Sequence, residues 1–189
     1  MALSFANKVT VGRILIVPFF IGTTLSFSPD REYLRYVALG AFLLAVISDV
    51  IDGYIARTHH QKTLAGAILD PVADKLLLIS AFLCLFKMRS FFGAVQFPLW
   101  VVVTIISRDI ILLLGSMIIY IVQGKLNIVP TKWGKATTFL QVLCILGILL
   151  QWEFSISIWS VAVILTVISG IGYIREGVKV LNDSSQHRA

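Results

Sequence analysis

The stretch Asp49-Val-Ile-Asp52-Gly53-Tyr-Ile-Ala56-Arg57, followed after a short polar interval by Gly66-Ala-Ile-Leu-Asp70-Pro-Val-Ala-Asp74, decides how the chain is read. Four carboxylates stand there inside an otherwise apolar sequence. Asp49 and Asp52 are three residues apart and Asp70 and Asp74 four apart, so on helices each pair shares one face. Two helices joined by a short turn would aim all four at one another. Carboxylates gathered in apolar surroundings repel one another and resist desolvation unless cations neutralise them, and oxygen-rich sites suit hard divalent ions. The stretch reads first as a metal site.

The rest of the composition places that site in a membrane. Of 189 residues, 58% are hydrophobic, and the mean hydropathy is +0.91. These values describe an all-α integral membrane protein. The net charge of +6 and pI near 9.6 come without any basic run. Lys and Arg fall mostly between apolar segments, which favours anionic lipid over nucleic acid as the partner. Cys84 and Cys144 lie deep in apolar runs and read as packing residues.

Apolar segments run from Val9 to Phe27, Tyr33 to Arg57, Leu64 to Phe86, Phe97 to Ile121, Gly134 to Leu150 and Ile156 to Ile174. Each approaches the roughly 20 residues a bilayer span needs. Six transmembrane helices in one membrane domain over residues 1–189 are expected, with short polar connections. The first has Lys8 and Arg13 in its basic region, but no small-x-small cleavage site follows, so it is expected to be a retained helix. Pro18 and Pro71 are expected to bend or start helices. Alternating spans collect Lys8, Arg13, Arg57, Lys62, Lys125, Lys132, Lys135, Arg175, Lys179 and Arg188 on one side, against Arg31, Arg35, Lys87 and Arg89 on the other. The first side, with both termini, is expected to be cytoplasmic. The carboxylates then lie a turn or more below the cytosolic face.

The neighbours of the carboxylates have roles of their own. Gly53, Ala56 and Gly66 keep the helix surfaces small, so that a bulky ligand can approach the backbone; close helix packing is the alternative reading. Arg57 brings a fixed cation to the mouth. Divalent ions and Arg beside a small-residue surface form a receptor for a diphosphate.

Written out, the stretch is Asp49-x2-Asp52-Gly53-x2-Ala56-Arg57-x8-Gly66-x3-Asp70-x3-Asp74. It resembles the complete signature of the CDP-alcohol phosphatidyltransferase family. Asn7-x2-Thr10-x2-Arg13, Ser107-Arg108-Asp109 and Lys132-Trp-Gly-Lys135 are similar to the branch that forms phosphatidylglycerophosphate, and less closely to the cardiolipin synthases. The resemblance implies six membrane helices, a homodimer and a site facing the cytosol of a bacterial inner membrane. It implies that Asp49, Asp52 and Asp70 hold magnesium, or manganese, as a pair of ions against the diphosphate of CDP-diacylglycerol. Asp74 is then the general base, touching metal as well, while Gly53, Ala56, Arg57 and Gly66 complete the donor site with Asp52 and Asp70. No nucleophilic Ser, Cys or His accompanies the cluster, which favours direct displacement over a covalent intermediate.

The acceptor is read from the remaining cations. Arg108 falls inside the fourth apolar segment, where an unpaired charge costs at least ~2.5 to 3.5 kcal/mol, so it should face a polar cavity or pair with a carboxylate. Asp109, its sequence neighbour, is expected to point elsewhere. Arg108, Lys132 and Lys135 together would hold the phosphate of glycerol 3-phosphate; for the two lysines, membrane anchoring is the alternative. Lys75 either balances a carboxylate or closes the site. His59 and His60 read as solvated turn residues, since no further His or Cys accompanies them. Trp100, Trp133, Trp152 and Trp159 read as interfacial anchors.

Other readings keep the donor and change the acceptor, to phosphatidylglycerol or an inositol phosphate. A membrane prenyltransferase also uses Asp-rich helices and magnesium, but the Asp-Gly-x2-Ala-Arg core and the lack of a second Asp-rich motif argue against it. An ion or proton carrier would explain intramembrane carboxylates, yet no inverted repeat supports one.

Overall fold

The computed structural model describes the backbone of residues 5–58, 64–92, 95–123 and 132–186. Side chains are described for residues 12, 14–51, 72, 75–92, 95–117 and 133–175. Among the described residues the chain is helical throughout its regular structure, with no strand. Helices α1 (Phe5–Leu25), α2 (Tyr33–Thr58), α3 (Leu64–Lys87), α4 (Leu99–Gln123), α5 (Lys132–Leu149) and α6 (Ser155–Gln186) follow in order. Short 3-10 turns at Pro29–Arg31 and Arg89–Phe91 occupy two of the connections.

Each helix coincides with an apolar segment of the sequence to within a few residues, except at the end of α6. There the apolar run stops at Ile174, but the helix continues to Gln186. Hydropathy fails where Arg175, Glu176 and Lys179 begin, while nothing in the backbone forbids another three turns. At 32 residues the helix is about 48 Å long, well beyond the ~30 Å of a bilayer core. Pro18 starts no helix. It lies inside α1, and Pro71 likewise falls within the residues of α3.

Three helices are long and apolar enough to cross a membrane among the described residues: Tyr33–Ile51, Leu99–Met117 and Ser155–Arg175. Shorter apolar stretches, Ile14–Leu25 and Trp133–Leu149, lie on α1 and α5. Large apolar side chains such as Leu15, Leu44, Val50, Leu114 and Phe154 are turned outward. That outward apolar surface suits lipid, and an aqueous surface would not carry so much of it.

The chain forms two compact units, Met1–Gln96 with Ile145–Trp152, and Phe97–Cys144 with Glu153–Ala189. In the first, α1 packs on both α2 and α3. Ala38, Ala41, Phe42 and Ala45 recur at helical spacing and are buried, which gives α2 a narrow face of small residues around one ring. Phe42 meets Phe20 of α1 at 5.8 Å between ring centroids. Phe27, just past α1, stacks on Phe92 at 5.4 Å and meets Phe91 edge-on at 6.1 Å. The end of α1 therefore adjoins both the start of α2 and the end of α3. Consequently the carboxyl half of α2 and the amino half of α3 lie at the same end of this unit as the amino half of α1.

Opposite that end, Arg35 is 5% exposed. Its Nη2 donates to Glu32 Oε1 at 2.8 Å and to the Tyr36 hydroxyl at 3.0 Å, and its guanidinium carbon lies 4.9 Å from the Tyr36 ring centroid. A cation read from sequence only as a surface charge thus holds the first turn of α2.

In the second unit α4 and α6 run parallel. Trp100 meets Trp159 edge-on at 5.7 Å, Arg108 meets Ser169, and Gly115 faces Tyr173, whose Cε1 would lie 3.0 Å from a Cβ at that glycine. The pairs advance together along both helices. Trp159 is therefore a packing residue as well as a helix-end aromatic. Thr137 of α5 joins α6 through its hydroxyl, which donates to the Leu165 carbonyl at 3.3 Å.

Helix α5 ends on a left-handed residue, Gln151, with φ 55°. The Trp152 amide donates to the Gly147 carbonyl at 2.8 Å and the Gln151 amide to the Ile148 carbonyl at 3.0 Å. This is the cap that glycine usually completes. Gln151→Gly should stabilise the protein by up to about 1 kcal/mol, read as a raised unfolding midpoint in detergent; an unchanged or lowered midpoint would contradict the strain.

Candidate active site

The acidic stretch is helical on both sides of the polar residues 59–63. Asp49 and Asp52 belong to α2, Asp70 and Asp74 to α3, so each pair occupies register positions on one helix face. Both pairs belong to the end of the first unit where α2 and α3 are joined. Asp49 lies nine residues before the end of α2, roughly 14 Å along its axis. Asp74 lies ten residues into α3, roughly 15 Å, so the two are at similar depth. Asp49 is half-buried. The side chains of Asp52, Gly53, Ala56, Arg57, Gly66, Asp70 and Asp74 lie outside the described residues, as do His59 and His60 altogether. Lys75 follows Asp74 on α3, and its ammonium is shielded from solvent.

Four carboxylates on two successive helices suit a hard divalent cation by donor chemistry, because all are oxygen ligands and none is soft. Asp49, Asp52, Asp70 and Asp74 are the residues that would hold one. Among the described residues, which include only Asp49 of the four side chains, no group of three or more His, Cys, Asp or Glu is placed to bind a metal.

The second unit carries a buried charge pair. Arg108 is 6% exposed and Asp109 1%. Arg108 Nη1 donates to Asp109 Oδ1 at 2.8 Å, and Nη2 donates to Ser169 Oγ at 2.7 Å. The expectation that Asp109 points away from Arg108 is overturned. Successive side chains on a helix diverge, but a long arginine stem can curl back. In a low-dielectric span the attraction between unlike charges outweighs the cost of bending the stem. Nε of Arg108 is buried and has no hydrogen-bond partner. The stem passes Gly170, where a Cβ would sit 3.5 Å from Arg108 Cγ.

Lys135 is exposed on the first turn of α5. Thr137, two residues on, touches α6 at Leu165, one helical turn from Ser169. Positions two apart on a helix point to different faces, so this contact does not carry the lysine side chain towards Ser169. Lys132 begins α5, and its side chain lies outside the described residues. Ser169 was not legible from sequence. The available signal is a Ser-Gly pair in the middle of an apolar span, at a depth matching the intramembrane Arg-Asp pair of another span. Cys84 and Cys144 are buried and free.

These features define a class: an all-helical protein with helices long and apolar enough to cross a membrane, two of which, α2 and α3, carry four aspartates in sequence. The chain belongs to the CDP-alcohol phosphatidyltransferase family, whose sequence model matches residues 3–171. That match crosses both units and includes every candidate site residue. A Mycobacterium tuberculosis protein named probable phosphatidylglycerophosphate synthase is 31% identical over 93% of this chain and 82% of its own length. Proteins of Haemophilus influenzae and Bacillus subtilis, both named CDP-diacylglycerol–glycerol-3-phosphate 3-phosphatidyltransferase, are 30% and 31% identical. The first pairs 94% of this chain with 95% of its own, and the second 95% with 97%.

Breaking one side of a buried ion pair leaves the other charge uncompensated. Asp109→Leu should therefore lower stability by about 3–5 kcal/mol, and Arg108→Met with Asp109→Leu should recover most of it. Unfolding midpoints in detergent check this, and a double variant no more stable than Asp109→Leu would contradict the pairing.

Proposed function

We propose that the protein transfers a phosphatidyl group from CDP-diacylglycerol to sn-glycerol 3-phosphate, giving phosphatidylglycerophosphate and CMP in phospholipid biosynthesis. The observation that carries this is the full eight-residue family signature lying on two successive helices, α2 and α3. The names of relatives spanning nearly the whole chain support glycerol 3-phosphate as the acceptor. The chain is a bacterial inner-membrane protein with six spans, its termini and site on the cytosolic side, and it works as a homodimer. The six helices and the distribution of basic residues support the topology; the dimer rests on the family resemblance.

In this reading Asp49, Asp52 and Asp70 hold magnesium or manganese, two ions in all, with Asp74 in reach. Bound metal supplies neutralisation of the diphosphate and of the charge that develops on the leaving CMP. Gly53, Ala56 and Gly66 let the cytidine side of the donor approach the helix backbones, and Arg57 offsets charge at the diphosphate. Asp74 removes the proton from the acceptor hydroxyl as its oxygen attacks the phosphorus bearing diacylglycerol. A phosphorus–oxygen bond forms to the acceptor, the bond to CMP breaks, and CMP leaves as an anion. Arg108, Lys132 and Lys135 hold the acceptor's phosphate, which fixes the hydroxyl for in-line attack.

Purified protein with magnesium should release labelled CMP from CDP-diacylglycerol when glycerol 3-phosphate is supplied, and chelator should abolish release. Turnover with phosphatidylglycerol or an inositol phosphate instead would reassign the acceptor, and full turnover in chelator would defeat the metal reading. Asp74→Asn should nearly abolish turnover while leaving donor binding largely intact in calorimetric titration; lost donor binding would recast Asp74 as chiefly a metal ligand.

A further inference from the structure

Hydroxyls in these helices mostly turn back on their own backbone. Thr104 donates to the Trp100 carbonyl at 2.7 Å, Thr166 to Ala162 at 2.7 Å, and Ser160 to Ile156 at 2.8 Å. This local satisfaction is the cheapest arrangement for a hydroxyl in an apolar span. Ser169 differs. Its oxygen accepts from Arg108, 61 residues away on α4, at 2.7 Å, and the serine is 4% exposed.

The contact has a geometric consequence. A guanidinium is planar, and its donors keep fixed directions. One hydrogen bond, from Nη1 to Asp109, offsets its charge but leaves the plane free to swing about that contact. A second, from Nη2 to Ser169, comes from another helix and removes the swing. The buried Nε, with no partner, is then held in one direction together with the unused hydrogens of the group. Asp109 sits on the same helix as Arg108, so it cannot by itself register α4 against α6. Ser169 does both.

We propose that Ser169 is a positioning residue that fixes the Arg108 guanidinium so that its unpartnered Nε edge meets the phosphomonoester of the acceptor. This rests on the reading of Arg108 as an acceptor-phosphate group. The acceptor's dianion is the chemistry that such an edge recognises, because a charged donor in a dry site binds it by charge-assisted hydrogen bonds. The lipid donor is recognised elsewhere, so its affinity is independent of Ser169.

The test is steady-state kinetics on four variants, varying glycerol 3-phosphate and CDP-diacylglycerol separately. Ser169→Ala and Ser169→Cys should raise KM for glycerol 3-phosphate about tenfold and leave KM for CDP-diacylglycerol unchanged. Cysteine nearly keeps the side-chain volume but is a weak acceptor, so it carries the test even where Ala fails to fold. Ser169→Thr, which keeps the hydroxyl, should restore the acceptor KM. Arg108→Gln should raise the same KM at least as far. An unchanged acceptor KM in Ser169→Cys beside a raised one in Arg108→Gln would overturn the positioning role alone. Loss in Ser169→Thr but not in Ser169→Cys would make Ser169 a packing residue and also overturn it. An Arg108→Gln enzyme with an unchanged acceptor KM would overturn the reading of Arg108, and the positioning role with it.

Discussion

A charge carried into an apolar helix span has to be compensated where it stands, since little water is at hand to screen it. Both polar centres of this protein obey that constraint, in opposite ways. Arg108 is compensated from within the chain, by Asp109 on its own helix and by the hydroxyl of Ser169 on the next helix but one. In the acidic stretch four carboxylates stand on two successive helices, and the cations nearby in sequence, Arg57, Lys62 and Lys75, number one fewer. In the proposed function a divalent ion and the donor's diphosphate together meet that deficit.

The helices around these centres associate by shape more than by apolar burial, because lipid is as apolar as their side chains. The alanine face of α2 admits α1 closely, and Phe20 and Phe42 fill the space between them. Gly115 admits the ring of Tyr173 between α4 and α6, and the Trp100–Trp159 pair closes the other end of that seam. The Arg108–Ser169 contact lies between these two packing points. A polar contact held between fixed apolar ones has little freedom to drift, which is the condition a positioning group needs.

The fold was legible in the sequence to a large degree, because span length and hydropathy are dictated by the bilayer. The boundaries of α2, α3 and α5 follow the apolar runs closely. The overrun of α6 was not legible, since hydropathy reports where apolar surface ends and helical backbone can continue past it. The carboxylate spacing at Asp49, Asp52, Asp70 and Asp74 names the candidate site on the condition that both stretches are helical, and that condition is met. The Arg108–Asp109 pairing went the other way. Helical periodicity separates neighbouring side chains, and only the energy of an unpaired charge in a dry span reverses that rule. Ser169 escaped because its role depends on which turn of α6 faces Arg108, a registry set by Trp100, Gly115 and their partners across the sequence. Arg35 escaped for a similar reason: a residue counted for its charge proved to be buried against Glu32 and Tyr36.

The central claim is that the acidic helices bind a divalent ion together with the donor's diphosphate. Calorimetric titration of manganese into the purified protein, with and without CDP-diacylglycerol, tests it directly, in the wild type and in Asp52→Asn and Asp70→Asn. The account predicts binding in the wild type that tightens when donor is present and is lost in both variants. Equal manganese binding in wild type and variants, or binding indifferent to the donor, would contradict it.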